Sequence, residues 1–264
     1  MPNSKMLKQL TICSLTTLMC TAGPNALAHT GVQDAATPGR TSYNAFTITH
    51  GCGGDTGTTP LKVKGQSAVV PFGVAVWNEI QTGGVEVPIP AGAIGIVSED
   101  EDLITLNAGG IQDNDPFAKQ EEETDDLGNV RALNWKKGAL ATNLVGTPRF
   151  RVSVPAILDN CVATLRIRFA VANWCETNKN EANDGNNNRA DWWFTGPAKT
   201  GSTQFVDPDL VQDTFWTTLT VNNPGNPELP ECTGETREVS VQPTGADIDT
   251  YLPYRPFTKN PGPY

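Results

Sequence analysis

The chain has 264 residues, with 29 Asp and Glu against 19 Lys and Arg, and a formal net charge of −10 at pH 7. This acidic balance argues against nucleic acid or an anionic membrane surface as a partner, because phosphate recognition needs clustered basic side chains. Attraction of cations is compatible with the same charge, and so is simple solubility.

The N-terminal 28 residues are predicted to be a secretory signal peptide. Lys5 and Lys8 precede a mostly apolar run over residues 10–20, and residues 26–28 read Ala-Leu-Ala, the small-x-small pattern that signal peptidase recognises. The run is too short for a stable membrane anchor, and no later stretch predicts a membrane span. We therefore expect export to the periplasm, the cell surface or the medium, with His29 as the first mature residue. Lipid attachment at Cys20, or cleavage elsewhere, is the alternative.

Four cysteines remain after removal of the signal: Cys52, Cys161, Cys175 and Cys232. In an exported chain this number predicts two disulfides, and the sequence leaves all three connectivities open. No C-x-x-C motif is present, so nothing indicates a zinc ribbon or a thioredoxin-like site.

Short β-like runs dominate the rest of the chain. They are rich in Val, Ile, Thr and aromatic residues and are separated by Gly, Pro, Asn and Asp clusters. In residues 164–172 apolar and polar side chains alternate, as in a half-buried antiparallel strand. No window has a sustained helical period, and the pattern predicts an all-β antiparallel β-sandwich over residues 29–222. The predicted strands are 42–48, 65–70, 131–135, 150–154, 164–172 and 217–221.

Three segments are predicted to lie outside the regular sandwich. Residues 99–126 are acidic and poor in apolar side chains, and we expect a solvated loop there. Residues 175–193 form an Asn-rich loop that ends in Trp192 and Trp193, of which at least one could face outward. Within this loop, residues 184–191 loosely resemble a calcium-binding loop but lack its closing glutamate. Residues 223–264 are predicted to be an extended or disordered Pro-rich tail.

His29 is one of only two histidines in the chain. At a free N-terminus, its α-amine and its ring Nδ1 can chelate one metal ion together, because the first bond holds the second donor close to the metal. Amine and imidazole nitrogens suit copper, and Cu(II) has the highest affinity in the divalent series. Because both nitrogens must lose protons to bind, affinity should fall in acid. The position of His29 thus predicts a Cu(II) chelate.

The second histidine, His50, lies in "YNAFTITHGCGGD", directly after a predicted strand. Together with the processed "AH" start, this stretch resembles the YcnI-like copper-binding domain family. Looser similarity continues through "ALNWKKGAL", "PRFRVSVPAI" and "VANWCET", so that it spans roughly residues 29–178. The resemblance implies an immunoglobulin-like β-sandwich that binds copper(II) at the N-terminal histidine.

The same resemblance implies a disulfide between Cys52 and Cys175, which would leave Cys161 to pair with Cys232. It also implies a copper site in which a glutamate and a tryptophan accompany the histidine. Trp135 matches the tryptophan better than Trp77 does, whereas the expected glutamate position holds Arg149. His50 is either a metal ligand or a turn residue beside the disulfide. The predicted metal residues are therefore His29, His50 and Trp135.

We interpret the protein as an exported, non-enzymatic copper(II)-binding protein that serves copper acquisition, delivery or buffering, with a copper-delivery or membrane-transport partner. A polysaccharide monooxygenase-like copper enzyme is an alternative, which would need His50 as its second histidine. A surface or structural protein that does not use the metal is another, and in it His29 would be incidental.

Overall fold

The structure is a computed structural model that describes residues 30–52, 61–98, 106–112, 116–175, 190–194, 201–205 and 215–252. Most of the regular structure in these residues is β-strand. The strands are β1 Gly31–Val32, β2 Thr41–Thr47, β3 Gly65–Val69, β4 Val76–Ile80, β5 Glu86–Pro88, β6 Ala108–Gly110, β7 Phe117–Thr124, β8 Val130–Gly138, β9 Arg149–Ser153, β10 Val162–Trp174, β11 Ala190–Trp193, β12 Thr217–Asn222 and β13 Arg237–Gln242. The helix, α1, spans Gly245–Tyr251.

The strands form two sheets. The smaller sheet has the order β1-β2-β9-β6, and the larger has the order β5-β4-β13-β10-β3-β8-β7, with β11 and β12 also paired to β10. Nearly all of the pairs are antiparallel, and the exception among the named strands is β10 with β13, which run parallel. The predicted all-β, mainly antiparallel β-sandwich is thus confirmed.

All six strands predicted from the sequence are present, with bounds that differ by at most a few residues. β10 is the longest strand and has four neighbours, with β12 and β13 along its first half and β3 and β11 along its second half. Its alternating pattern places Leu165, Ile167 and Phe169 in the core between the sheets, as period-two patterning requires.

An aromatic cluster joins the two sheets at the centre of the core. The Phe46 ring stacks on Phe150 with centroids 4.5 Å apart, and it meets Phe169 and Trp135 edge to face at 5.3 and 5.6 Å. All four side chains are almost completely buried. Such offset and edge-to-face pairs add to the free energy gained by burial alone.

The prediction of a solvated acidic loop over residues 99–126 is wrong for its second half, because residues 117–124 form edge strand β7. Specific partners stabilise two of its acidic side chains. Glu121 contacts Lys136 of β8, and the Glu122 carboxylate accepts a 3.0 Å hydrogen bond from the Gly110 amide in the other sheet. Charged side chains also protect an exposed sheet edge against pairing with other chains. Residues 99–105 and 113–115 lie outside the described residues.

Glu123 of β7 is half-buried against the sheet. Loss of hydration raises the pKa of this carboxyl, and a hydrogen bond from Asn134 partly opposes the rise. The strand thus carries one carboxylate whose charged form is disfavoured by folding.

The prediction of an extended Pro-rich tail beyond residue 222 is also wrong for residues 237–252. β13 lies inside the larger sheet between β4 and β10, and Val239 and Val241 are fully buried. α1 follows it, with the Thr244 side chain capping the amide of Asp247. Residues 253–264 lie outside the described residues.

A second apolar cluster covers the outer face of the larger sheet. Ile248 and Leu252 pack there against Phe194 and Trp216, and Trp192 packs at its margin. Trp193, by contrast, lies in the main core, so the two adjacent tryptophans face opposite sides of β11 as strand geometry requires. Asp249 on α1 accepts hydrogen bonds from residues 202–204. Although burial opposes it, these bonds lower the pKa of Asp249.

Candidate functional site

The His50 side chain lies at the end of β2, beyond a bridge between Ile48 and Gly146, and it is largely buried. Its Nδ1 lies 2.7 Å from the carbonyl oxygen of Gly51. Because a carbonyl oxygen can only accept, Nδ1 donates in this hydrogen bond. In the neutral tautomer that has this donor, the lone pair is on Nε2, which is then the nitrogen able to bind a metal.

Only a glycine fits between His50 and Cys52, because the backbone of Leu61 lies very close to this position. A Cβ at this position would lie 1.9 Å from the carbonyl oxygen of Leu61, so no other residue fits without moving the backbone. The close approach lets Cys52 bridge to Leu61, whose amide donates to the Cys52 carbonyl at 3.0 Å. The His-Gly-Cys sequence therefore fixes the backbone directly after His50.

The structure contains both of the disulfides that the resemblance implies. Cys52 and Cys175, with Cα atoms 6.0 Å apart, link the segment after β2 to the end of β10. Cys161 and Cys232, with Cα atoms 4.8 Å apart, link the start of β10 to the segment before β13. One disulfide thus lies at each end of β10, and only the first lies beside His50.

Asp191 is the carboxylate next to His50. It belongs to β11, and the antiparallel register places it opposite Asn173 of β10. Its Oδ2 lies 3.9 Å from His50 Nδ1, and the two side chains are 20% and 16% exposed. Two residues further along β11, the Trp193 ring meets the imidazole of His50 edge to face, with centroids 5.9 Å apart. His50 is therefore held between a carboxylate and an indole of the same strand.

The first described residue, Thr30, lies at the same end of β10. It is fully buried, and its hydroxyl accepts a 2.8 Å hydrogen bond from the Asn173 side chain. The Asn173 side chain in turn accepts from Gln66 of β3 at 2.8 Å, and the Thr30 carbonyl accepts from Thr217 at 3.2 Å. Thr30 is thus anchored to Asn173, the register partner of Asp191. His29, which precedes Thr30 in the chain, lies outside the described residues.

Trp135, the predicted tryptophan of the site, lies on β8 and packs against Phe46 in the aromatic core. Asp191, Asn173, Gln66 and Trp135 occupy one register row across four successive strands. Three inter-strand steps correspond to about 14 Å. The structure thus brings His50 and Asp191 together and places Trp135 three strands away from Asp191.

Two other positions considered in the sequence lie on strands other than β2 and β11. Trp77 is buried on β4 opposite Val241. Arg149 begins β9, is exposed, and lies opposite Ala45. Most of the calcium-like loop, residues 184–189, lies outside the described residues.

The described part of the chain contains no group of three or more His, Cys, Asp or Glu side chains that could hold a metal ion. Its helix is also too short and too polar to cross a membrane.

The chain matches no known protein-family profile, and no curated protein matches it. A solved structure, described as an uncharacterized protein from Nocardia farcinica with an immunoglobulin-like fold, is similar over 74% of this chain and 99% of its own. The two share 11% sequence identity with a TM-score of 0.38, and a likeness this weak carries no inference about function.

Proposed function

We propose that this protein is an exported copper(II)-binding protein, which holds the ion through the processed N-terminal His29 together with His50. The role that fits such a site is copper acquisition, delivery or buffering in the periplasm or at the cell surface. Two disulfides support an oxidising compartment, since disulfides persist mainly in exported proteins.

One observation carries the proposal: His50, Asp191 and the residue that follows His29 converge on the same end of β10. Thr30 is bonded to Asn173, Asn173 is the register partner of Asp191, and Asp191 lies 3.9 Å from His50. Because Thr30 directly follows His29 in the chain, we infer that the α-amine of a processed His29 could reach this cluster.

The side chains present have the donor chemistry that copper requires. The His50 tautomer leaves Nε2 as a neutral imidazole donor, and imidazole and amine nitrogens suit Cu(II). A carboxylate beside the imidazole favours a bound cation by charge. In such a site the chain would supply these donors and hold them in position through its backbone. Any redox chemistry would be that of the bound copper.

The test begins with N-terminal sequencing of the exported protein, followed by Cu(II) titration and EPR of the same sample. We expect a start at His29 and an axial Cu(II) spectrum with nitrogen couplings. Two variants then distinguish the contributions of the two His29 donors. His29→Ala removes the imidazole ring, and one alanine inserted before His29 moves the α-amine away from that ring while keeping both histidines. Each should weaken Cu(II) binding at least tenfold, or about 1.4 kcal/mol.

Unchanged affinity in both variants would contradict the proposal and support an interaction protein in which His29 has no metal role. Peroxide-driven oxidation of polysaccharides by the copper-loaded protein would instead support the enzymatic alternative. The proposed binding function predicts no substrate cleavage in that assay.

A further inference from the structure

We propose that Asp191 is a positioning residue for the metal site: it orients His50 and strengthens Nε2 as a copper donor by acting on the opposite side of the imidazole ring. This inference rests on the proposed copper function and adds to it a residue that neither the motifs nor the resemblance assigns.

The first support is the geometry around Nδ1. This nitrogen donates to the Gly51 carbonyl at 2.7 Å, and the Asp191 carboxylate lies 3.9 Å from the same atom. Metal-binding histidines usually direct the other ring N–H toward a backbone carbonyl or a carboxylate, which fixes the tautomer and raises the basicity of the ligating nitrogen. His50 has both kinds of acceptor on its Nδ1 side.

The second support is burial. Asp191 and His50 have only 20% and 16% of their side chains exposed, so water screens their interaction less than it would at the surface. Keeping a carboxylate largely out of water costs free energy, which a cation bound at the neighbouring imidazole would offset. A cation bound at His50 would therefore interact favourably with the Asp191 carboxylate.

The third support is that independent contacts hold the pair in position. Register with β10 fixes the backbone of Asp191, the Cys52–Cys175 disulfide fixes the segment after His50, and the Trp193 ring packs against the imidazole. A positioning residue needs this rigidity, because a charge that drifts by an ångström no longer selects one ring orientation.

Asp191→Asn tests the inference, because it keeps the shape of the side chain and removes its charge. The matched control is Glu235→Gln, which removes one acidic charge from the exposed segment next to Cys232, at the other end of β10. For D191N we expect a roughly 10- to 100-fold loss of Cu(II) affinity and altered copper hyperfine values in EPR. The control should match the wild type in both, and Asp191→Glu should recover most of the affinity.

A second measurement needs no metal. In the metal-free protein labelled with ¹⁵N-histidine, long-range ¹H–¹⁵N NMR reads the tautomer of His50. Wild type should show the proton on Nδ1, and D191N should shift the population toward Nε2–H. This readout remains available if a variant binds copper poorly for other reasons, and near-ultraviolet circular dichroism verifies that the variant is folded.

Wild-type affinity and an unchanged tautomer in D191N would overturn the role of Asp191 while leaving the copper proposal intact, provided that the N-terminal extension still weakens Cu(II) binding at least tenfold. A wild-type protein that binds no Cu(II) would instead overturn the copper proposal, and the role of Asp191 with it.

Discussion

The two disulfides make it possible to separate a local effect on the copper site from a global effect on the stability of the fold, because they lie at opposite ends of one strand. β10 contains 13 residues, so at about 3.3 Å per residue its ends are roughly 40 Å apart. We consider the double variant Cys52→Ala/Cys175→Ala beside Cys161→Ala/Cys232→Ala as its matched control. Each removes one bridge and leaves the other.

The loss of stability can be worked out from the sequence separations, which are 123 and 71 residues. In the chain-entropy description, the cross-links stabilise the fold by about 4.9 and about 4.4 kcal/mol at 25 °C. The two variants should therefore lose similar free energies of unfolding, measured by urea denaturation. Their copper affinities should differ, because only the bridge at Cys52 holds His50 beside Asp191.

We expect the Cys52/Cys175 variant to lose Cu(II) affinity at least tenfold under conditions where it remains folded, and the control to keep wild-type affinity. Equal copper losses in the two variants would refute the argument that this bridge acts locally on the site. A stability loss below about 1 kcal/mol in either variant would refute the loop-entropy estimate.

Three further substitutions test the fold. Phe46→Ala removes the ring that stacks on Phe150, and thermal or urea unfolding should show a loss of about 3–5 kcal/mol; a loss below 1 kcal/mol would contradict its central place in the core. Glu123→Gln should stabilise the protein at neutral pH, because burial raises the pKa of Glu123 and the charged form is penalised in the folded state. That gain should disappear below about pH 4, where the carboxyl is protonated in both states, and a gain independent of pH would exclude this cause. Asp249→Asn should cost at most about 1 kcal/mol at neutral pH, because hydrogen bonds lower the pKa of Asp249 while solvent screens part of their effect. Its contribution is present above the unfolded pKa and is lost as pH falls through the folded pKa, so the two proteins should converge in stability in strong acid.

Local patterning in the sequence was sufficient to predict the strands with clear alternation. β10 is predictable because Leu165, Ile167 and Phe169 alternate with polar residues, and the alternation survives in the buried face. β13 has the same kind of alternation, with Val239 and Val241 buried. Its Pro- and Gly-rich surroundings nevertheless predict a tail, because that composition is typical of extended linkers. β7 lacks this apolar alternation, and the partners of its acidic side chains on the neighbouring strands β6 and β8 are not evident from composition.

The candidate site was only half predictable. His50 could be singled out from its motif, but its contact with Asp191 depends on the β10–β11 register and on a disulfide between distant cysteines. In the sequence, Asp191 stands out only as a possible oxygen ligand in the loop that resembles a calcium-binding loop. The acid expected at Arg149 is replaced there by an exposed cation, and no local pattern indicates where a compensating carboxylate would come from.

The parallel strand β13 has a consequence for how the chain acquires its shape during synthesis. Among the strands in the described residues it is the last to leave the ribosome, yet it lies between β4 and β10 in the interior of the larger sheet. Until residues 237–242 emerge, the edges of two apolar strands stay open, and pairing over so long a stretch of chain is slow. The larger sheet of a nascent polypeptide of this kind therefore stays incomplete until this strand emerges, and its open strand edges are exposed to non-native pairing in the interval.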